Sequence, residues 1–106
     1  MSNTPLTDPL GRRITLHDQT WLAHIVKRHP EMLQHRRLVE LAITQPQEIR
    51  HCPTDDDCRF YFGMGPRQGI VVLVVGDVAK GRVKTAHLVR AMKGAVEWSR
   101  QTPSKE

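Results

Sequence analysis

An α+β fold, with two N-terminal helices packed on one face of a four-stranded antiparallel sheet, is what this chain predicts. Three observations predict it. Apolar residues recur at helical spacing only before Pro46. Beyond that proline, alternating or β-branched runs follow one another. Short glycine-containing turns separate those runs, as in a meander.

Taken in order, residues 1–12 read as a flexible N-terminal tail because of Pro5, Pro9 and their polar neighbours. Residues 13–99 read as one domain, and residues 100–106 (RQTPSKE) as a flexible C-terminal tail. Residues 13–16 make a short strand or lead into the first helix, with Thr15 or Asp18 as its N-cap. That helix carries Trp21, Leu22, Ile25 and Val26 as an apolar stripe. His24 edges the stripe one turn before Arg28, so the two share a side. His29-Pro30 ends the helix, since a residue before proline is pushed out of the α region. The second helix, over residues 34–44, puts Leu38, Leu41 and Ala42 on one face and stops at Pro46.

The β region opens with residues 48–52 and the acidic loop 54–57. RFYFG (59–63) alternates, Phe60 and Phe62 to one face, Arg59 and Tyr61 to the other. IVVLVV (70–75) is a β-branched run suited to a central strand covered on both faces. Residues 82–89 alternate again, with Thr85 and His87 on one face, and residues 95–99 form a last short strand anchored by Trp98.

The chain has 106 residues, 39% hydrophobic and 25% charged, which suits one soluble domain with a single core. No apolar run approaches a membrane span, so no membrane partner is expected. The N-terminus lacks a hydrophobic signal core, which implies a cytoplasmic protein. A formal charge of +5 favours a polyanionic partner such as nucleic acid. Cys52 and Cys58 flank the acidic loop and face each other if its arms form a hairpin; in the cytoplasm both stay reduced. His51 beside Cys52 has no second ligand pair at zinc-like spacing, so neither a metal nor a cofactor is expected.

If residues 70–75 lie between the two polar strands, Arg59 and Tyr61 share an open face with Thr85 and His87, a register that sequence leaves undetermined. Such a set suits RNA cleavage by the 2′-oxygen. A base takes the 2′-OH proton, an acid protonates the 5′-oxygen, and cations hold the phosphorane. Histidine titrates in the right range for the proton transfers.

The ordered set WLAHIVKRHPE, I-x-x-P-x-x-I (43–49), RFYF, IVVLVV, V-K-T-A-H and K-G-x-x-x-W resembles the phage and bacterial barnase–EndoU–colicin–RelE-like nuclease family over residues 13–98. The resemblance implies helices followed by a four-stranded antiparallel sheet. It also implies a metal-independent endoribonuclease of toxin type that leaves a 2′,3′-cyclic phosphate, with RNA as substrate and an antitoxin or immunity protein as partner. Its pattern falls on His24, Arg59, Thr85 and Lys93 as catalytic positions, with Arg28, His29 and Tyr61 touching substrate. His87 stands where the pattern more often has tyrosine, which either adds a second proton-transfer group or marks a changed activity.

Each of these has a plainer reading. His24 caps the core edge, His29 answers the helix C-terminal dipole, Arg28 is a solvated cation, and Arg59 and Tyr61 are cross-strand pairs. Trp21, Trp98, Phe60 and Phe62 fall at packing periodicities and read as core, while His17, His35 and His51 receive no role. Two further functions stay open: a non-catalytic RNA-binding module on the same scaffold, and a basic protein-interaction domain.

Overall fold

A computed structural model describes residues 3–100; residues 1–2 and 101–106, most of the C-terminal tail, lie outside the described residues. The chain order is β1 (Thr4–Thr7), β2 (Arg13–Leu16), helix α1, a 3-10 turn (Pro30–His35), α2 (Arg36–Thr44), β3 (Glu48–His51), β4 (Cys58–Met64), β5 (Val71–Asp77), β6 (Arg82–Val89) and β7 (Val96–Ser99). Helix α1 starts at Asp18–Thr20 and continues as a π-helical run, Trp21–Val26.

The expected four-stranded antiparallel sheet is corrected. All seven strands form one sheet in the order β1-β2-β6-β5-β4-β3-β7. It is mixed, because β2 meets β6 in parallel at Thr15 and Arg82. The tail reading of residues 1–12 also gives way: Thr4–Thr7 pairs with Arg13–Leu16 as an antiparallel hairpin. Proline lowers the strand signal of this segment without preventing the strand. Pro5 lies on the outermost strand, where a missing N–H costs no ladder bond. Pro9 sits in the turn, where Asp8 accepts the backbone N–H groups of Leu10 and Arg12, each at 2.9 Å.

The sheet curls until its ends meet. Arg12, in the β1–β2 turn, reaches Glu97 on β7 through two hydrogen bonds of 2.7 and 3.1 Å. Glu97 also accepts from Arg59 at 2.9 Å, and Arg12 donates to Asp8 at 2.8 Å. The buried Tyr61 hydroxyl donates to the same Asp8 carboxylate at 2.6 Å. Burial would raise the Asp8 carboxyl, but the bonds from Tyr61 and Arg12 outweigh it and hold the group below its ordinary value. Burial and the Asp8 bond together push the Tyr61 hydroxyl well above its own.

Inside the curl lies the main core. Ile14, Leu16, Ile49, Tyr61, Val72, Val74, Val83 and Ala86 from the strands meet Trp21, Ile25, Met32, Val39, Ala42 and Ile43 from the helical segments. On α2 the buried stripe is Val39, Ala42 and Ile43 rather than the expected Leu38, Leu41 and Ala42. The i, i+3, i+4 spacing is the same, rotated by one residue. Arg36 joins the helices, with its guanidinium 5.6 Å from the Trp21 ring centre and 2.9 Å from Asp18. No helix among the described residues is long and apolar enough to cross a membrane.

Two glycines let these layers touch. A Cβ on Gly63 of β4 would fall 2.6 Å from the Ala42 Cβ and 2.7 Å from its Cα. Gly63→Ala is therefore expected to force α2 off the sheet at a cost of about 1–3 kcal/mol, read as a lower urea midpoint. At Gly76 a Cβ would meet the Tyr61 ring at 3.0 Å. The β5–β6 register slips at that same glycine, leaving Lys84 as the extra residue of a bulge, so Val83 and Ala86 both point inward.

The outer face of the sheet is not left bare. Residues 90–95 run from β6 across β5, β4 and β3 to β7. Four strand spacings span about 19 Å, which an extended chain covers in about six residues. Arg50 on that face anchors the crossing chain, donating to the carbonyls of Met92 at 3.0 Å and Gly94 at 3.2 Å.

Candidate functional site

Register decides which polar residues meet. Phe60 pairs with Val75 and Val75 with Thr85; Phe62 pairs with Leu73 and Leu73 with His87. Thr85 and His87 therefore share the outer face with Phe60 and Phe62. Tyr61, opposite Val74 and Ala86, lies on the core face, and Arg59 follows it there. The expected meeting of Arg59 and Tyr61 with Thr85 and His87 is thus corrected. Tyr61 is fully buried and Arg59 is held by Glu97, so both serve the closure of the curl.

The outer face and the crossing chain enclose a hollow of about 600 Å³. Phe60, Phe62 and Leu73 give it an apolar floor, while His87, Arg90 and Lys93 border it. Thr85 sits two residues before His87 on the same face, half-buried. His29 closes on His87 from the end of α1: the rings stack with centres 5.0 Å apart and planes 25° off parallel. The pre-proline conformation sets that approach, for His29 leaves the helix at φ −133°, ψ 75° while its N–H still bonds the Ile25 carbonyl at 2.8 Å. Arg28, its neighbour, is exposed.

His87 is chemically the least ordinary residue here. Its Nδ1 is buried and has no hydrogen-bond partner among the described residues. Burial first, and the charge on His29 second, lower its pKa below the ordinary 6.5, against a smaller opposing pull from Glu31. A neutral imidazole is a proton acceptor at neutral pH.

That depressed value also has a stability consequence. As pH falls, the unfolded chain takes up the His87 proton before the folded one does. The resulting stabilisation is whole above the unfolded value near 6.5 and is lost as pH falls through the lower folded value. His87→Gln is expected to lose less thermal stability than the parent between about pH 7 and about pH 5, measured by paired melts.

His24 stands apart from this hollow. With His17, Gln19, Arg82 and Lys84 it lines a groove of about 760 Å³ between α1 and the start of β6. It lies within the π-helical run, a local widening of the helix that shifts side chains off the ordinary 3.6 period. Of the sequence-derived set, then, His87 and Lys93 border the hollow and His29 stacks on His87, while Thr85 shares the face two residues before His87 without lining the hollow, and Arg28 adjoins His29. His24 occupies a neighbouring groove, and Arg59 and Tyr61 are behind the sheet. Phe60, Phe62 and Arg90 were missed as site residues. Only the path of the crossing chain brings them there, and no spacing announces that path.

Five unneutralised cations lie around these two recesses, while Arg13, Arg67, Lys80 and Arg100, on other parts of the chain, also make no ion pair among the described residues. Arg12, Arg36, Arg37, Arg50 and Arg59 are engaged with carboxylates. Among the described residues Lys27, Arg28, Arg82, Arg90 and Lys93 make no such pair. These five lie on α1, on β6 and on the chain that leaves it. Cys52 and Cys58 are free thiols at the far hairpin, the Cys58 thiol pushed up by burial and by its bond to Asp55. Among the described residues no three of His, Cys, Asp and Glu gather as a metal-binding group. No family model, no curated protein and no solved structure matches the chain.

Proposed function

We propose that this chain is an endoribonuclease that cuts single-stranded RNA by 2′-oxygen transphosphorylation at the His87 hollow. The observation that carries the reading is the stacked His29–His87 pair beside Lys93 and Arg90, over a floor of two phenylalanines. His87, kept neutral by burial and by the charge of its neighbour, takes the 2′-OH proton. The 2′-oxygen attacks phosphorus, the bond to the 5′-oxygen breaks, and His29 in its charged form supplies the proton that the leaving oxygen needs. Lys93 and Arg90 hold the phosphorane charge. Thr85 donates a hydrogen bond to the phosphate, and Phe60 offers a base a stacking surface. The products are a 2′,3′-cyclic phosphate and a free 5′-hydroxyl.

The resemblance to barnase–EndoU–colicin–RelE-like nucleases supports the same chemistry. It adds a toxin-type setting with a neutralising antitoxin or immunity protein as partner. Incubating the protein with mixed RNA in EDTA tests the reading. Cyclic-phosphate ends that disappear in His87→Ala support it. RNA that is retained but never cut, with affinity falling steeply with salt, replaces it with a non-catalytic RNA-binding module. An absence of RNA affinity at low salt leaves the basic interaction domain.

A further inference from the structure

Strand β6 carries two recesses, one at each end. The His87 hollow borders its C-terminal half, and the α1 groove opens beside Arg82 and Lys84. Lys84 and His87 are three positions apart, roughly 10 Å along a strand. Beyond Arg82 no strand among the described residues pairs with the outer edge of β6, since β2 meets it only there. Helix α1 takes the strand's place beside that edge, and the groove is the space left between them.

The chemistry of this groove is that of a polyanion site. Arg82 has no ion-pair partner among the described residues, and Lys84 reaches only the exposed Asp55, at 3.9 Å. The one carboxylate in the lining, Asp18, is engaged by Arg36 at 2.9 Å. His17 and His24 add ring nitrogens, and Gln19 adds an amide suited to a base edge. The volume of about 760 Å³ falls within the span of about 300–1,000 Å³ usual for small-molecule and nucleotide sites.

We propose that this groove is a second RNA subsite, which holds a nucleotide flanking the one in the His87 hollow and so makes an oligonucleotide the preferred substrate. Arg82 and Lys84 take a backbone phosphate, and His24 and Gln19 face the sugar and base. His24 is then a substrate-binding residue rather than the proton carrier suggested by the resemblance. The proposal rests on the ribonuclease reading for the identity of its ligand.

The test measures fluorescence anisotropy of labelled RNA, a mononucleotide that can fill only one recess against a single-stranded decamer, on the full chain at fixed salt. In the double variant Arg82→Gln, Lys84→Gln, decamer affinity is expected to fall about tenfold more than mononucleotide affinity. The slope of log affinity against log salt is expected to drop by about 0.7 for each lost phosphate contact. Arg67→Gln, which removes a cation at the distant β4–β5 turn, controls for bulk charge, and thermal melts confirm that each variant folds. Equal losses for the mononucleotide and the decamer, or an equal loss in Arg67→Gln, overturn the subsite. Decamer binding that depends on Arg82 and Lys84 without any cutting keeps the subsite and removes the nuclease. Cutting that is indifferent to both residues removes the subsite alone. No binding of either RNA removes both.

Discussion

Asp8→Ala is expected to destabilise the fold by about 2–4 kcal/mol, the cost of orphaning a buried hydroxyl together with the loss of charge-assisted bonds. The Asp8 side chain is fully buried and satisfies four donors: the Tyr61 hydroxyl, the Arg12 side chain, and the backbone N–H groups of Leu10 and Arg12. Its removal leaves the Tyr61 hydroxyl orphaned in the core, opens the β1–β2 turn, and frees Arg12 from one of the two carboxylates that aim it. The bond from Arg12 to Glu97 then loses its orientation, and with it the clasp between the two ends of the sheet. Tyr61→Phe is the milder control, at about 1–2 kcal/mol, because Asp8 keeps its bonds to Arg12 and to the turn. Urea unfolding at about pH 7 separates the two variants. An Asp8→Ala cost no larger than that of Tyr61→Phe would show that the clasp contributes nothing to stability.

His87→Ala is expected to lower RNA cleavage by about 10²–10⁴-fold, the usual worth of a positioned general base. RNA affinity should change far less, because Lys93 and Arg90 keep their charges. The two effects separate on a plot of kcat against KM. The same depressed pKa also places the rising limb of kcat/KM against pH below about 6.5, since the base must be neutral and its value in the free protein lies under the ordinary one. His29→Ala removes the neighbouring charge that lowers His87, so the limb should move toward higher pH while the rate falls. A limb that stays in place would detach His29 from the tuning of His87. A His87→Ala protein that still cuts at the parental rate would refute the assignment of the base.

Much of this was legible in the residues. Of the expected stripe Trp21, Leu22, Ile25 and Val26, Trp21 and Ile25 are buried and Leu22 is exposed; the stop at His29-Pro30, the aromatic alternation of β4 and the β-branched run of β5 are local patterns that sterics and side-chain periodicity decide. The basic charge and the candidate histidines are likewise properties of the chain itself. Strand β1 was hidden because prolines suppress the strand signal even where an outer edge tolerates them.

What only the tertiary structure decided is partnership. The sequence alone determined that His87 and Tyr61 each belong to a strand and that His29 leaves a helix. Register and curl decided that His29 stacks on His87 while Tyr61 turns away to Asp8. The physical reason is that side chains on a strand alternate with period two, so a single-residue choice of register, or one bulge at Lys84, exchanges whole faces. That choice is made by the summed burial of residues distant in the chain. Ala42 must meet Gly63, and Arg12 must reach Glu97, before the polar faces of β4 and β6 have their sides.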